Sequence, residues 1–196
     1  NQRNMLAGIS HDLKTPLTRI NLMIEEINNE TLKQSISKNI SEMNIMLNHY
    51  LDFIKSEKNE NLDEINTSNF ILSIAKNYTK VQITNNEENQ IFVRKNQISR
   101  AFMNILDNAN KFADNIYIKS IIKNSEWITH IEDNGPGTTL SQEQLIKPFF
   151  KGSSQLNQGT GLGLSIVQKL LKLNNGELKF EKSEYGGLKV IVILRV

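Results

Sequence analysis

The stretch Ser10-His11-Asp12-Leu13-Lys14-Thr15-Pro16-Leu17 decides how the rest of the chain is read. The apolar residues around it, Leu6, Ile9, Leu13, Leu17, Ile20, Ile24 and Ile27, step by 3, 4, 4, 3, 4 and 3. That spacing predicts a buried helical seam, with a stutter at the doubled four. At roughly 100° per residue, His11 falls opposite the midpoint of Ile9 and Leu13, so its imidazole faces away from the seam. Asp12 is its immediate neighbour, and Thr15 lies about one turn along the same outer face. Pro16 removes a backbone donor and crowds the Asp12 carbonyl, a cost of roughly 3 kcal/mol that bends a helix. By itself the pattern fits two readings equally well: a reactive imidazole beside a hinge, or a surface histidine beside a tolerated proline.

The first helix is predicted over 4–27, followed by a polar break at 28–31 with Thr31 as the next N-cap. In the second helix Ile36, Ile40, Met43, Leu47, Tyr50 and Ile54 repeat at 4, 3, 4, 3, 4, a heptad seam. Two such helices joined by a short turn form an antiparallel hairpin with too little core of its own, and pairing two hairpins gives a four-helix bundle. A homodimer is therefore expected. His49 flanks the seam and reads as structural. The polar run at 55–61 marks a domain boundary, which gives a first unit over 1–58 and a second over 59–196.

Charged residues make up 22% and apolar residues 38% of the chain, the balance of a folded protein rather than a disordered one. Net charge is +2 with the signs interleaved, so nothing points to direct nucleic-acid binding. Cysteine is absent, which excludes disulfides and thiolate metal sites. The three histidines, at 11, 49 and 130, are too scattered to suggest zinc. No run reaches the roughly 18 apolar residues of a membrane span. A chain opening on Asn1 and helical almost at once reads as a piece of something longer.

The second unit alternates in type. Asp63 to about Ser68 leads into a helix carrying Phe70, Ile71, Ile74 and Tyr78, and short strands at 81–84 and 91–94 flank a hairpin-like turn. A helix over 96–112 has the apolar stripe Ile98, Ala101, Phe102, Ile105, Leu106 and Ala109. Strands at 115–123 and 126–132 follow, with Trp127 as sheet packing, then an irregular segment over 134–159. A helix over 162–173 is stopped by Asn174-Asn175-Gly176, and a strand pair at 177–182 and 188–195 turns at Tyr185-Gly186-Gly187. The order predicts helices on one face of a mixed sheet, an α/β sandwich.

Three motifs in this unit could carry chemistry. Asn104 and Asn108 share a helix face, with Lys111 one turn beyond and Phe112 beside it. Neutral amide oxygens there could hold a metal ion near a triphosphate, Lys111 could reach phosphate as a point charge, and Phe112 could pack on a base. Asp133-Asn134-Gly135-Pro136-Gly137 closes a strand; Gly135 and Gly137 permit close backbone approach, and Asp133 could accept from a purine amino group. Gly159-Thr160-Gly161-Leu162-Gly163 opens a helix whose backbone amides form an anion site, without matching a Walker or Rossmann loop. Pro148-Phe149-Phe150-Lys151 precedes it. Taken singly, each has a structural reading at least as good as its functional one, and for the Asn pair a better one.

In this order and spacing, the motifs make nearly the whole chain similar to the sensor histidine kinases of two-component systems. Residues 10–17 resemble the H-box, Asn104 to Lys111 the N-box, Asp133 to Gly137 the G1 box, Pro148 to Phe150 the F-box and Gly159 to Gly163 the G2 box. Residues 10–20 are especially similar to those of the osmosensing kinase EnvZ. The resemblance implies a dimeric helical hairpin bearing the phospho-accepting His11, followed by a Bergerat (GHKL) ATP-binding sandwich with a lid over about 138–158. It further implies that Asp12 takes the imidazole proton and that Asn108, with Asn104, holds Mg²⁺. Lys111 and Lys151 would contact phosphates, Asp133 would read adenine N6, and Phe112 would flank the base. Phe149 and the G2 residues Gly159, Thr160, Gly161, Leu162 and Gly163 would complete the ATP site. Thr15 matches the position that orients water to dephosphorylate the partner, a response-regulator receiver domain. Membrane attachment is implied only through segments outside this chain, which would be the cytoplasmic portion of a bacterial inner-membrane protein. Thr138-Thr139 departs from the family, which often has Ile after the G1 box. ATPases of the same nucleotide fold carry Glu where this chain has Asn104, so water activation is disfavoured; an ATPase and a non-catalytic dimerisation scaffold are the competing readings.

Overall fold

The computed structural model describes residues 16–20, 22–25, 27–55, 60–150 and 161–195. His11, Asp12, Thr15, Lys151, Gly159 and Thr160 lie outside them, as do the side chains of His49, Tyr50 and Ile54.

The first unit is a helical hairpin. Helix α1, helical at 16–20 and 22–24, turns back into α2 (Glu30–Lys55). Leu17 and Ile24 of the first seam are buried against Ile40 of the second, with Ile27, Ile36 and Leu47 packed around them. Ile20 and Met43 belong to the same seams yet stay 42% and 53% exposed in a single chain. The cap differs from expectation. Helix α2 starts before Thr31, and the Asn29 carboxamide oxygen accepts from the Leu32 N–H at 3.0 Å. An Asn one residue before the first helical turn satisfies an orphan donor that Thr31, already inside the helix, cannot.

The second unit contains β1 (Asp63–Asn66), α3 (Thr67–Ala75), β2 (Val81–Asn86), β3 (Gln90–Val93), α4 (Lys95–Phe112), β4 (Ile116–Lys123), β5 (Glu126–Asp133), α5 (Gln142–Leu145), α6 (Gly163–Leu173), β6 (Glu177–Lys182) and β7 (Leu188–Arg195). A five-stranded sheet runs β2-β4-β5-β7-β6, with β2 parallel to β4 and the other pairs antiparallel. Its inner face contributes Ile116, Ile118, Trp127, Ile131, Val190, Val192 and Leu194 to one core with Phe102, Ile105 and Leu106 of α4 and Ile166, Val167 and Leu170 of α6. The expected apolar stripe of α4 is buried throughout. Trp127 is structural, as expected. Its ring stacks on Phe102 at 5.6 Å, meets Phe70 edge-on at 5.7 Å, and its indole N–H donates to Ser120 Oγ at 2.7 Å.

Three local expectations need correction. The strands at 81–86 and 90–93 do not form a hairpin: β3 pairs antiparallel with β1, and β2 pairs parallel with β4. The polar residues between them serve α3 instead. Thr67 Oγ1 donates to the Glu87 carbonyl and accepts from the Asn89 N–H, both at 2.9 Å, while the Asn86 amide donates to Ser68 Oγ at 2.9 Å. Second, Asp63–Asn66 is a strand rather than a lead-in, its register set by Ile65 and Ile91, which are both buried. Third, the segment after the Gly-Pro-Gly turn is not wholly irregular. Ser141 and Gln144 form a reciprocal capping box that starts the one-turn helix α5.

Helix α4, which carries the candidate site, is pinned at both ends. At its start, Glu60 accepts from the Asn96 and Gln97 N–H groups at 2.7 and 3.3 Å. At its end, the Lys80 ammonium donates to the Asn110 and Ala113 carbonyls at 3.1 and 2.8 Å, a cation where the helix dipole is negative. Arg94 Nη1 donates to the Leu173 carbonyl at 2.7 Å, tying the base of α4 to the end of α6. Helix α6 stops at Asn174-Asn175-Gly176 as expected, but the residue with left-handed φ is Asn175, at 53°. Gly176 is needed for space: a β-carbon there would stand 2.7 Å from Leu194 Cδ2.

Candidate nucleotide site

The described residues bring four of the motifs together. Asn104 and Asn108 lie on the half-buried side of α4, and the Asn104 amide donates to the Arg100 carbonyl at 2.8 Å. That bond orients the carboxamide so that its oxygen faces the start of α6: a β-carbon on Gly163 would stand 3.5 Å from Asn104 Oδ1. The N-box thus meets the G2 box through a glycine. The end of α4 meets the G1 box in the same way, since a β-carbon on Gly135 would stand 2.8 Å from the Phe112 carbonyl oxygen. The F-box meets the G2 box through backbone alone. The Phe149 N–H donates to the Gly161 carbonyl at 3.0 Å, and at Gly161 (φ +69°) a β-carbon would lie 2.9 Å from the Phe149 carbonyl carbon. Phe149 itself takes a left-handed φ of 62° and is exposed.

Asp133 ends β5 on its inner face and is 7% exposed. Its Oδ1 accepts from the Gly135 N–H at 2.9 Å and the Leu188 N–H at 3.2 Å, and its carbonyl accepts from the Gly187 N–H at 3.1 Å. Burial pushes the carboxyl above its ordinary value, against the pull of the Gly135 and Leu188 N–H groups. A carboxylate with one oxygen fixed by two amides presents the other in a defined direction, as reading an exocyclic amine requires. Asn134 anchors the same turn, its side-chain oxygen accepting from the Asp114 and Asn115 N–H groups at 3.0 and 2.9 Å.

Leu162 is 1% exposed and belongs to the core, so only its backbone can serve a ligand. Its carbonyl accepts from Ser165 Oγ at 2.8 Å and the Ile166 N–H at 2.9 Å, fixing the first turn of α6. Lys111 is exposed in the last turn of α4, and Phe112 is half-buried beside it. Among the described residues no three His, Cys, Asp or Glu side chains cluster to hold a metal. A hard cation at this site would therefore take neutral amide oxygens from Asn104 and Asn108 together with phosphate and water oxygens, a donor set suited to Mg²⁺.

Gly187 is the residue that sequence reading missed. Read as half of a Gly-Gly turn, it proves to be buried against Asp133, where any β-carbon would overlap the carboxylate and stand 2.5 Å from the Asp133 carbonyl oxygen. The available signal was two adjacent glycines, more than a tight turn of this length needs.

A mixed sheet under three longer helices, with an amide facing a glycine-started helix and a clasped aspartate on the strand that leads to the end of α4, is an arrangement suited to a nucleotide. The comparisons with known proteins agree. Residues 93–196 match the model of the histidine kinase-, DNA gyrase B- and HSP90-like ATPases, and residues 1–61 match the His Kinase A (phospho-acceptor) domain. The chain is 28% identical over 196 aligned residues to the sensor histidine kinase GtrS of Pseudomonas aeruginosa, covering 97% of this chain and 41% of that protein. It is 25% identical over 213 aligned residues to the sensor histidine kinase CpxA of Escherichia coli K12, covering 98% and 47%. The full-length structure of ShkA in complex with AMPPNP superposes with a TM-score of 0.71 at 17% identity, covering 97% of this chain and 45% of that one. The chain belongs to the histidine kinases, with a phospho-acceptor helical domain followed by a domain of the histidine kinase-, gyrase B- and HSP90-like ATPase family. It spans less than half the length of these two curated relatives. Among the described residues no helix is long and apolar enough to cross a membrane.

Proposed function

We propose that this chain is the cytoplasmic catalytic core of a sensor histidine kinase, which transfers the γ-phosphoryl group of ATP to His11. The observation that carries the reading is a chain of close contacts: Asp133 is clasped beside Gly135, Gly135 abuts the end of α4, and Asn104 of α4 faces the Gly163 start of α6. Those contacts support an adenine reader beside one end of α4 and a phosphate site further along it. Neutral imidazole attacks phosphorus, the bond to the ADP oxygen breaks, and Asp12 takes the imidazole proton. Positioning and charge neutralisation supply most of the catalysis in such transfers. Mg²⁺, held by Asn108 and Asn104, supplies charge neutralisation at the triphosphate when bound. Lys111 and Lys151 contact phosphates, Phe112 flanks the base, and Phe149 and residues 159–163 complete the ATP site.

From His11 the phosphoryl group passes to an aspartate of a response-regulator receiver domain, and Thr15 orients the water that later removes it. The exposed seam residues Ile20 and Met43 support a homodimer built through the hairpin. Glu60, bonded to the first turn of α4, supports a boundary near residue 58, with residues 59–196 as the catalytic unit. The osmosensing subtype rests on residues 10–20 alone, and attachment to the inner membrane rests on segments outside this chain.

The test is incubation with γ-labelled ATP and Mg²⁺, followed by acid and alkali treatment. Acid-labile, alkali-stable label on the wild type that is absent from His11→Gln is the expected result. Free phosphate without protein label would identify an ATPase instead, and neither product would leave a dimerisation scaffold.

A further inference from the structure

We infer that Glu132 is a positioning residue for nucleotide selectivity: it clasps the 183–187 turn from the outer face of the sheet and so fixes the Asp133 carboxylate on the inner face. Successive residues of a strand point to opposite faces, so the end of β5 offers two carboxylates, one on each side. Both hold the same turn. On the inner side, Asp133 accepts from the Gly187 N–H through its carbonyl and from the Leu188 N–H through Oδ1. On the outer side, Glu132 Oε2 accepts from Ser183 Oγ at 3.2 Å and from the Glu184 N–H at 3.1 Å. Its Oε1 lies 3.5 Å from the Lys189 ammonium, on the residue directly opposite across the β5–β7 ladder. Glu132 is 8% exposed, and Lys189 keeps a 13% exposed side chain.

The turn is also bonded within itself. Ser183 Oγ, donating to Glu132, also accepts from the Tyr185 N–H at 3.0 Å, and the turn closes through Gly186 N–H to Ser183 O at 3.1 Å and Ser183 N–H to Gly187 O at 3.0 Å. Glu132 is thus the side chain through which the strand end grips the turn at the hydroxyl and first amide, while Asp133 grips its last two amides. A buried carboxylate whose oxygens meet a hydroxyl, an amide and an ammonium is costly to disturb and sets the turn's position closely. When that grip is lost, the Gly187 and Leu188 amides drift and the Asp133 carboxylate gains rotational freedom. A site that hydrogen-bonds an amine discriminates strongly only while its acceptor is fixed. The expected defect is therefore in the choice between bases, not in phosphate binding.

This inference rests on the reading of Asp133 as the acceptor for the adenine amino group. The test is calorimetric titration of the whole chain with ADP and with inosine diphosphate, which carries a carbonyl in place of the 6-amino group. Wild type should prefer ADP by roughly a hundredfold, the range of one hydrogen bond to a charged group. Asp133→Ala should abolish the preference; if it does not, the reading of Asp133 fails. Glu132→Ala should cut the preference at least fivefold, through weaker ADP binding with inosine diphosphate binding little changed. Glu132→Gln keeps an acceptor for Ser183 and Glu184 and should restore most of the preference. Ser183→Ala removes one arm of the grip and should give a smaller loss in the same direction, which keeps the test open should Glu132→Ala fold poorly. A preference unchanged in Glu132→Ala, or in Ser183→Ala where Glu132→Ala does not fold, while Asp133→Ala loses it would overturn the role of Glu132. So would an equal loss for both nucleotides, the mark of a merely structural residue.

Discussion

Gly187 stands against Asp133 so closely that a side chain of any size on it would displace the carboxylate. Its neighbour Gly186 has open space around it, yet its φ of +104° suits almost no other residue. The two glycines of one turn are thus required for different reasons, one for room and one for conformation.

The contrast gives the first prediction. Gly187→Ala should weaken ADP binding roughly tenfold or more, about 1.4 kcal/mol per decade, because it moves Asp133, the proposed reader of the base. Gly186→Ala should cost roughly 1–3 kcal/mol of stability and leave ADP affinity within about twofold once the protein is folded. Calorimetric titration beside thermal melting separates the two.

The cap of α2 gives the second. Asn29→Ala should destabilise the chain by about 1 kcal/mol, since it strips the acceptor from the Leu32 N–H. Thr31→Ala, inside the helix, should change stability by less than about 0.5 kcal/mol. Urea unfolding at one fixed protein concentration would show the difference, and the reverse ranking would return the cap to Thr31.

His130 gives the third. Burial first, then the Lys189 and Lys119 ammoniums, hold its imidazole below the ordinary value, against the smaller pull of Glu132 and Glu181. The unfolded chain therefore takes up a proton before the folded one does. Stability should be complete above about pH 6.5 and fall as pH drops below that value, until the folded imidazole also titrates. His130→Gln should remove this part of the pH dependence. A wild-type melting temperature flat between pH 7 and 5, with the variant identical, would refute it.

Asp133 gives the fourth, with the opposite sign. Its carboxyl is raised by burial, so its contribution to stability is complete below the unfolded value and is lost as pH rises through the folded one. At neutral pH the ionised group burdens the fold of the nucleotide-free protein. Asp133→Asn should melt at a higher temperature than wild type at pH 7, and the gap should close toward pH 4, while ADP binding weakens. A variant less stable at pH 7 would show that the lost charge-assisted bonds to Gly135 and Leu188 outweigh the burial.

How much of this was legible beforehand varies by residue. Where period alone fixes an element, as in the stripe from Ile98 to Ala109 or the alternation through Ile116 and Ile118, sequence and structure agree, because burial follows the spacing of apolar side chains. The Asn104, Asp133 and glycine motifs could be placed on their elements and were expected to converge. The misses share a cause: the partner lay far away in sequence. Nothing in residues 81–94 says that Asn86, Glu87 and Asn89 spend their hydrogen bonds on Thr67 and Ser68 rather than on a hairpin. Nothing in Tyr185-Gly186-Gly187 says that the turn closes on a carboxylate 54 positions earlier, at residue 133. Glu132 is one more residue of the strand expected over 126–132, and nothing near it in sequence marks it, since its Ser183 and Lys189 partners also belong to the last part of the chain.

The late position of β7 has a consequence for biosynthesis. Strand β5 lies between β4 and β7, so its second edge stays bare, and Asp133 has only its Gly135 bond, until residues 183–195 have left the ribosome. A chain stopped before β7 already has its hairpin but lacks the second clasp on Asp133, the proposed base reader. On the proposed function, products truncated before β7 could still pair through the hairpin yet carry no finished pocket of their own.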